Sequence, residues 1–369
     1  MTRNNFNGTQ VKNYWWNQHT KPFVLAGPCS AESPEQMREI VKTLASINIP
    51  FIRAGIWKPR TRPGSFEGMG ANALPWLAEL KQEFNVKFAI EVANPHHVEL
   101  ALKHGIDLLW IGARTTVNPF AVQEIADSLV GVEIPVLVKN PINPDLALWL
   151  GAIERIEKAG ITKTGAIHRG FSSLQQSQYR NIPLWQIPLE LKSLRIDLPL
   201  ICDPSHITGK RDLVANVAQK AMDLNYDGLM IETHPNPQNA LSDAAQQITP
   251  SELIDLLSTL KMRDSSFRNT FSINRLEEIR HQIDNADQEI LEAIARRMRL
   301  VEEIGQYKKD NNVAIFQLER WKEIFETRPN WGDTMLLDKE FILDIYRQIH
   351  QASIKSQTEI FNDNGEIKK

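Results

Sequence analysis

Cysteine is scarce in this sequence: only Cys29 and Cys202 are present, far apart along the chain. So small a number excludes a disulfide-dense scaffold and points to a reducing, cytoplasmic setting. Long apolar runs are missing too. No stretch approaches the ~20 consecutive apolar residues that cross a bilayer, and the opening MTRNNFNGTQVKNYWW has no apolar signal core, so no membrane partner is expected. Nor is positive charge in excess. The 42 Lys and Arg are outnumbered by 45 Asp and Glu, a formal net charge of -3, which argues against a nucleic-acid partner. Length and apolar content are what the chain has: 369 residues, 42% of them hydrophobic, enough for two domains with a sizeable core.

After an N-terminal extension (1–22), short apolar runs and helical patterns alternate. The runs are FVLAGPCS (23–30), PFIRAG (50–55), VKFAIEVA (86–93), DLLWIGART (107–115), IPVLVKN (134–140), TGAIHRG (164–170), LPLICDPSH (198–206) and DGLMIETHP (227–235). Between them, SPEQMREIVKTLASI sets Ser33 as N-cap, Pro34 in the first turn and Met37, Ile40, Val41 and Leu44 on one face. GKRDLVANVAQKAMDLN and TPSELIDLLSTLKM read alike. Eight strand–helix units within residues 23–262 predict an α/β fold, a (β/α)8 TIM barrel.

The pattern changes in the polar, aperiodic KMRDSSFRNTFSIN (261–274), read as a linker over 263–274. Residues 275–360 carry only helical periodicity, and 361–369 are expected to be a disordered tail. One helix of more than thirty residues starts at Ile273–Arg275 with an apolar stripe at Leu276, Ile279, Ile283, Ala286, Ile290, Ile294, Met298, Val301 and Ile304. Two shorter helices follow, near 317–327 and 334–360. Two short companions cannot cover so long a stripe, so an all-α three-helix domain paired with a second chain is expected, making a homodimer.

In such a barrel the chemistry sits at the C-terminal ends of the strands. Those ends here carry Cys29, Arg53, Glu91, Arg114, Lys139, His168 with Arg169, Asp203 with His206, and Glu232 with His234. A lone cysteine is more often a small buried hydrophobe than a ligand. Eight polar ends out of eight favour an active site. Arg53, Lys58, Arg114, Lys139 and Arg169 form a cationic set that would repel itself unless it faced an anion, usually phosphate. Cys29, His206, Glu232 and Asp243 form a second set, one thiol, one imidazole and two carboxylates, that suits one divalent ion, manganese or alternatively iron, cobalt or zinc. By strand alternation Cys202 points away from the side used by Ile201 and Asp203. The stretch GIWKPRTRPGSFEGMG (55–70) crowds Lys58, Arg60 and Arg62 between prolines, which excludes a helix and predicts a cationic loop.

Taken in order, AGPCSAES, KPRTRPGSFEGMG, IGARTTVNP, VLVKN, HRGFSS, DPSHITGKR and MIETHPNPQNALSDAAQQ resemble 3-deoxy-D-arabino-heptulosonate 7-phosphate (DAHP) synthase, of the branch related to 3-deoxy-manno-octulosonate 8-phosphate synthase. The resemblance implies small-molecule substrates, phosphoenolpyruvate and erythrose 4-phosphate. It implies that Arg53 and Lys58 meet the carboxylate end of phosphoenolpyruvate, that Arg114, Lys139 and Arg169 cradle its phosphate, and that Arg60 and Thr61 bind the phosphate of the aldehyde. It gives Cys29, His206, Glu232 and Asp243 as metal ligands, with Glu91 and Asp203 orienting the site. The octulosonate relative carries a different segment in place of KPRT, so that synthase is the disfavoured alternative.

LEEIRHQID, ARRMRLVEEIGQYK, LERW and IHQASIKSQ resemble the all-helical chorismate mutases. This implies that Arg280, Arg297, Lys308, Arg320, Ser353 and Gln357 surround chorismate or prephenate. Arg280 and Arg297 are about 25 Å apart on one helix, so Arg280 would come from the partner subunit. Gln317 and Trp321 replace acidic residues of that family, which leaves open a regulatory binding module, feedback-linked to the synthase, in place of an active mutase.

Overall fold

The computed structural model describes Trp15, residues 22–58, Gly64, and residues 66–173, 177–263 and 270–362. The chain divides into two compact units, Met1–Ser265 and Ser266–Lys369.

Eight parallel strands close the first unit into a barrel in sequence order: β1 (Phe23–Gly27), β2 (Phe51–Arg53), β3 (Phe88–Val92), β4 (Leu108–Ile111), β5 (Val136–Lys139), β6 (Thr164–His168), β7 (Leu200–Cys202) and β8 (Gly228–Glu232). β8 pairs back onto β1, with Phe23 opposite Gly228 and Gly27 opposite Glu232. The outer ring is α1 (Pro34–Ser46), α2 (Leu74–Phe84), α3 (Pro95–Lys103), the short α4 (Ala113–Thr116), α5 (Pro119–Ser128), α6 (Leu146–Lys158), α7 (Gln186–Leu194), the short α8 (Pro204–Thr208), α9 (Val214–Asp223) and α10 (Pro250–Thr259). Side-chain oxygens of Ser33, Asn94, Asn118, Asp145, Asp203 and Thr249 accept first-turn N–H groups at the starts of α1, α3, α5, α6, α8 and α10.

Strand alternation splits the core into two layers. Phe23, Leu25, Phe51, Ala89, Leu108, Trp110, Leu137, Ile167, Ile201 and Met230 fill the barrel, and Trp15 packs beneath them. Trp15 meets Phe23 edge to face and donates its indole N–H to Thr164 O at 3.0 Å, so this side chain covers the lower end of the barrel. The alternate residues face the helices. Cys202 is in that outer layer while Ile201 points inward, as alternation predicts. His168 is likewise on the outside, next to inward-facing Ile167, so this strand end does not aim its imidazole at the cavity.

The second unit is three helices, α11 (Thr270–Asp310), α12 (Leu318–Thr334) and α13 (Lys339–Asn362). Its helices extend beyond the periodic stretches read from the sequence. α11 starts inside the segment read as linker, because Thr270–Asn274 continue the helical backbone although their sequence has no clear periodicity. α12 accommodates Pro329 and continues past it. α13 includes the first two residues of the expected tail, and 363–369 lie outside the described residues. Gly305 and Gly332 let neighbouring helices approach closely: a Cβ at Gly305 would lie 2.9 Å from Ile360 Cδ1, and one at Gly332 would lie 2.6 Å from Ile342 Cγ1. Among the described residues of this unit, the N-terminal half of α11 leaves Ile279, Ile283 and Ile290 exposed on one stripe.

Candidate active site

At the C-terminal ends of the strands a cavity of about 340 Å³ is lined by Lys58, Glu91, Arg114, Lys139, Arg169, Arg180, Asn181, His206 and Asp243. Each side chain arrives on its own short segment. Glu91 and Lys139 stand on β3 and β5, Arg114 on α4, His206 on α8, Arg169 just after β6, and Lys58 in the loop after β2. Gly112 makes room for Glu91, since a Cβ there would sit 2.1 Å from Oε1. Trp110 Nε1 donates to Glu91 Oε2 at 2.9 Å.

Beneath the cavity lies a buried ion network. Lys139 Nζ bonds Asp203 Oδ2 at 2.8 Å, and His206 Nδ1 is also 2.8 Å from that oxygen. Burial alone would push the Asp203 carboxyl up, but His206 and Lys139 outweigh it and hold the group well below the usual carboxylate range. Arg53, 1% exposed, places Nη2 3.0 Å from Glu232 Oε1, with its guanidinium over the Trp110 ring. Arg53 Nε and Nη1 and Glu232 Oε1 have no aligned hydrogen-bond partner. Burial brings Arg169 down to about 10, and it is fixed by Nη1 donating to Asn181 Oδ1 at 2.7 Å and by its backbone N–H donating to Asn140 Oδ1 at 2.7 Å.

Of the expected metal set, Cys29 donates from Sγ to Asp243 Oδ2 at 3.3 Å, and His206 Nε2 is 3.7 Å from Glu232 Oε1. The four thus meet in two pairs, of which His206 and Asp243 line the cavity. Among the described residues no three His, Cys, Asp or Glu side chains are already closed into a metal cage. Lys58 Nζ instead donates to Cys29 Sγ at 3.0 Å. Burial first, then the Glu232 charge, pushes the Cys29 thiol up to about 12, so it is protonated at neutral pH. Asp243 is held below its ordinary value against burial by the hydrogen bond and charge of Arg180.

Arg180 is the cation that sequence reading missed. It follows β6 by twelve residues, so no strand end announces it. Its Nη1 lies 2.8 Å from both Asp243 Oδ1 and Gln246 Oε1. Neighbouring Asn181 holds Arg169 and also donates from Nδ2 to His206 O at 2.6 Å. Only the dipeptide Arg180-Asn181 in an otherwise polar loop could have signalled this. Arg60 and Thr61 lie outside the described residues.

A second cavity, of about 310 Å³, is in the helical unit. Arg297, Lys308, Arg320, Ser353 and Gln357 line it, together with Gln317 and Trp321. Arg297 Nη1 donates to Ser353 Oγ at 2.8 Å, and Lys308 Nζ to Ile315 O at 2.6 Å. Arg280 does not join them. It is exposed on α11 and pairs with Glu277 at 2.6 Å.

Over residues 11–268 the sequence matches the DAHP synthetase I family. The chain belongs to that family. Residues 279–358 match chorismate mutase type II, so the family's barrel is joined here to a mutase-type helical domain. The phospho-2-dehydro-3-deoxyheptonate aldolase of Thermotoga maritima is 30% identical over 238 residues, covering 64% of this chain and 68% of the relative. A crystal structure of the T. maritima aldolase superposes on this DAHP synthetase I barrel with a TM-score of 0.58 at 28% identity, covering 64% of this chain and 67% of that one. The 2-dehydro-3-deoxyphosphooctonate aldolase of Paracidovorax citrulli is 26% identical over 278 residues, covering 68% of this chain and 94% of the relative. No helix of the described residues is long and apolar enough to cross a membrane.

Proposed function

We propose that the barrel condenses phosphoenolpyruvate, erythrose 4-phosphate and water to DAHP and inorganic phosphate, and that the helical domain isomerises chorismate to prephenate. The observation that carries the first reading is one cavity in which Lys58, Arg114, Lys139, Arg169 and Arg180 face a single space. Two phosphorylated anions repel each other in water. Cations on rigid elements offset that repulsion and hold the reacting carbons together, so much of the catalysis is positioning. Arg114, Lys139 and Arg169 take the phosphate of phosphoenolpyruvate, Arg53 and Lys58 its carboxylate, and Arg60 with Thr61 the phosphate of the aldehyde. C3 of phosphoenolpyruvate then bonds to the aldehyde carbon and water adds at C2. Phosphate leaves with the bridging oxygen, and the water oxygen stays on C2.

The residues present fit a divalent ion, manganese or alternatively iron, cobalt or zinc. Cys29, His206, Glu232 and Asp243 would hold it, and the unaligned Glu232 Oε1 supports that reading. When bound, the ion supplies Lewis acidity toward the aldehyde oxygen. To serve as a ligand the Cys29 thiol would have to give up its proton. Glu91 and Asp203 orient the cations and imidazole around it.

The test is phosphate release from phosphoenolpyruvate with erythrose 4-phosphate against arabinose 5-phosphate. Turnover with the five-carbon aldehyde alone would overturn the assignment. For the helical domain the assay is chorismate disappearance. Gln317 and Trp321 in the cavity wall favour a second reading, a prephenate-binding regulatory module, and prephenate binding without chorismate loss would decide for it. The exposed stripe of α11 supports a homodimer joined through these helices, with the partner's copy of residue 280 completing each cavity, and a biosynthetic activity of this kind suits the cytoplasm. Prephenate bound there would inhibit the synthase by favouring its less active arrangement.

A further inference from the structure

Trp57 and His97 make a contact for which the proposed reaction has no use. Their rings stack with centroids 3.8 Å apart and planes 5° from parallel. Trp57 directly precedes Lys58, and it sits at the neck of the cationic loop. Two backbone hydrogen bonds close that neck, from Gly70 N to Ile56 O and from Lys58 N to Glu67 O, each 2.8 Å. From this neck the indole goes to His97, while the Lys58 side chain lies over the Gly55 backbone and reaches Cys29 Sγ at 3.0 Å. A Cβ at Gly55 would stand 2.7 Å from Lys58 Nζ, so the path of the lysine is narrow. The stack is one of the contacts that hold residue 57, next to its packing against the core.

His97 is itself held in place. Its backbone N–H donates to the Asn94 side chain at 2.9 Å, and its ring Nδ1 accepts from Ala93 N–H at 3.3 Å. The second bond fixes the ring plane and puts the imidazole proton on Nε2. Burial, then neighbouring His96, brings His97 down to about 4, so a neutral ring faces the indole at neutral pH. The loop that orients His97 follows β3, whose Glu91 lines the same cavity as Lys58.

We propose that Trp57 and His97 are positioning residues for Lys58, their stack setting where the ammonium stands in the cavity. This rests on the reading of that cavity as the phosphoenolpyruvate site. The experiment uses the full chain and its His97→Ala, His97→Phe and Trp57→Leu variants. Calorimetry gives the Kd for phosphoenolpyruvate, and steady-state kinetics give kcat and both KM values. His97→Ala and Trp57→Leu are expected to weaken phosphoenolpyruvate about three- to tenfold, the worth of one aromatic stack, with a smaller change for the aldehyde phosphate. His97→Phe, which keeps a flat neutral ring, should restore most of the loss. Should one alanine or leucine variant fail to fold, the other makes the same comparison. Wild-type affinity in the folded variants would overturn the proposal. So would equal losses for both substrates that phenylalanine does not restore, since these would mark general support of the fold. A wild-type protein that neither binds nor consumes phosphoenolpyruvate refutes the functional reading instead.

Discussion

Acidification from pH 7 to pH 5 is predicted to weaken the barrel through His168. This imidazole is fully buried, with Nε2–H donating to Pro183 O at 2.6 Å and Nδ1 accepting from Tyr226 O–H at 3.0 Å. Trp185 meets it edge to face, and Phe171 and Tyr226 complete the surround. Protonating Nδ1 would bury a charge and remove the acceptor that Tyr226 uses. Burial accordingly pushes His168 down to about 3. In the unfolded chain an ordinary histidine titrates near ~6.5. Between these values the unfolded state binds a proton that the folded state does not, so stability rises with pH in that window and falls on acidification. At pH 5 the unfolded histidine is almost fully protonated, and the folded state loses roughly 2 kcal/mol relative to pH 7 from this group. Urea unfolding of wild type and His168→Gln at both pH values isolates the effect, because glutamine keeps a donor and an acceptor but does not titrate. The wild type should lose about 2 kcal/mol more than the variant between the two pH values. Equal losses in the two proteins would refute the claim that His168 is held neutral by burial.

Asp203→Asn should cost about 3–5 kcal/mol in urea unfolding, because it leaves buried Lys139 without its carboxylate. Adding Lys139→Met to that variant should return part of the loss, and a purely additive double variant would contradict the pairing. Chelation should abolish the condensation and manganese restore it, with Cys29→Ala doing the same damage without lowering Tm; full turnover after thorough demetallation rules out the metal role. Arg169→Ala should mainly raise the KM for phosphoenolpyruvate and Arg60→Ala that for erythrose 4-phosphate, each by the loss of a charge-assisted contact of roughly 1.5–3 kcal/mol; exchanged effects in steady-state kinetics would reverse the assignment. Sedimentation of the full chain should show a dimer, and Arg297→Ala, which removes the bond to Ser353, should abolish any prephenate inhibition of the synthase; a monomer or an unchanged inhibition curve would count against the regulatory reading.

The barrel was legible in the sequence because its signals are local. Short, nearly continuous apolar runs mark β1 to β8, as parallel strands buried on both faces require, and Ser33 announces the start of α1 by capping a first-turn N–H group. The cations and carboxylates at the strand ends could be listed in advance, since a closed parallel barrel turns every strand end toward one mouth. Alternation also fixes the outward turn of Cys202, and the same rule applied to Ile167 would have removed His168 from the inward set. The aperiodic Thr270–Asn274 and the interior Pro329 mislead a reading of helix limits based on periodicity, because packing and helix continuation override weak local preference.

Partner choice among like-charged groups was beyond the sequence. Nothing in its order says that Arg53 sinks onto Glu232, that Lys139 takes Asp203, or that Arg180 crosses from a distant loop to Asp243. Those pairings depend on which side chains arrive at a few ångströms in a dry interior, where each charge must find a counter-charge or be excluded. The stack of Trp57 on His97 is of the same kind: forty residues separate the two in the chain, and the side-by-side pairing of β2 with β3 is what brings the two rings together.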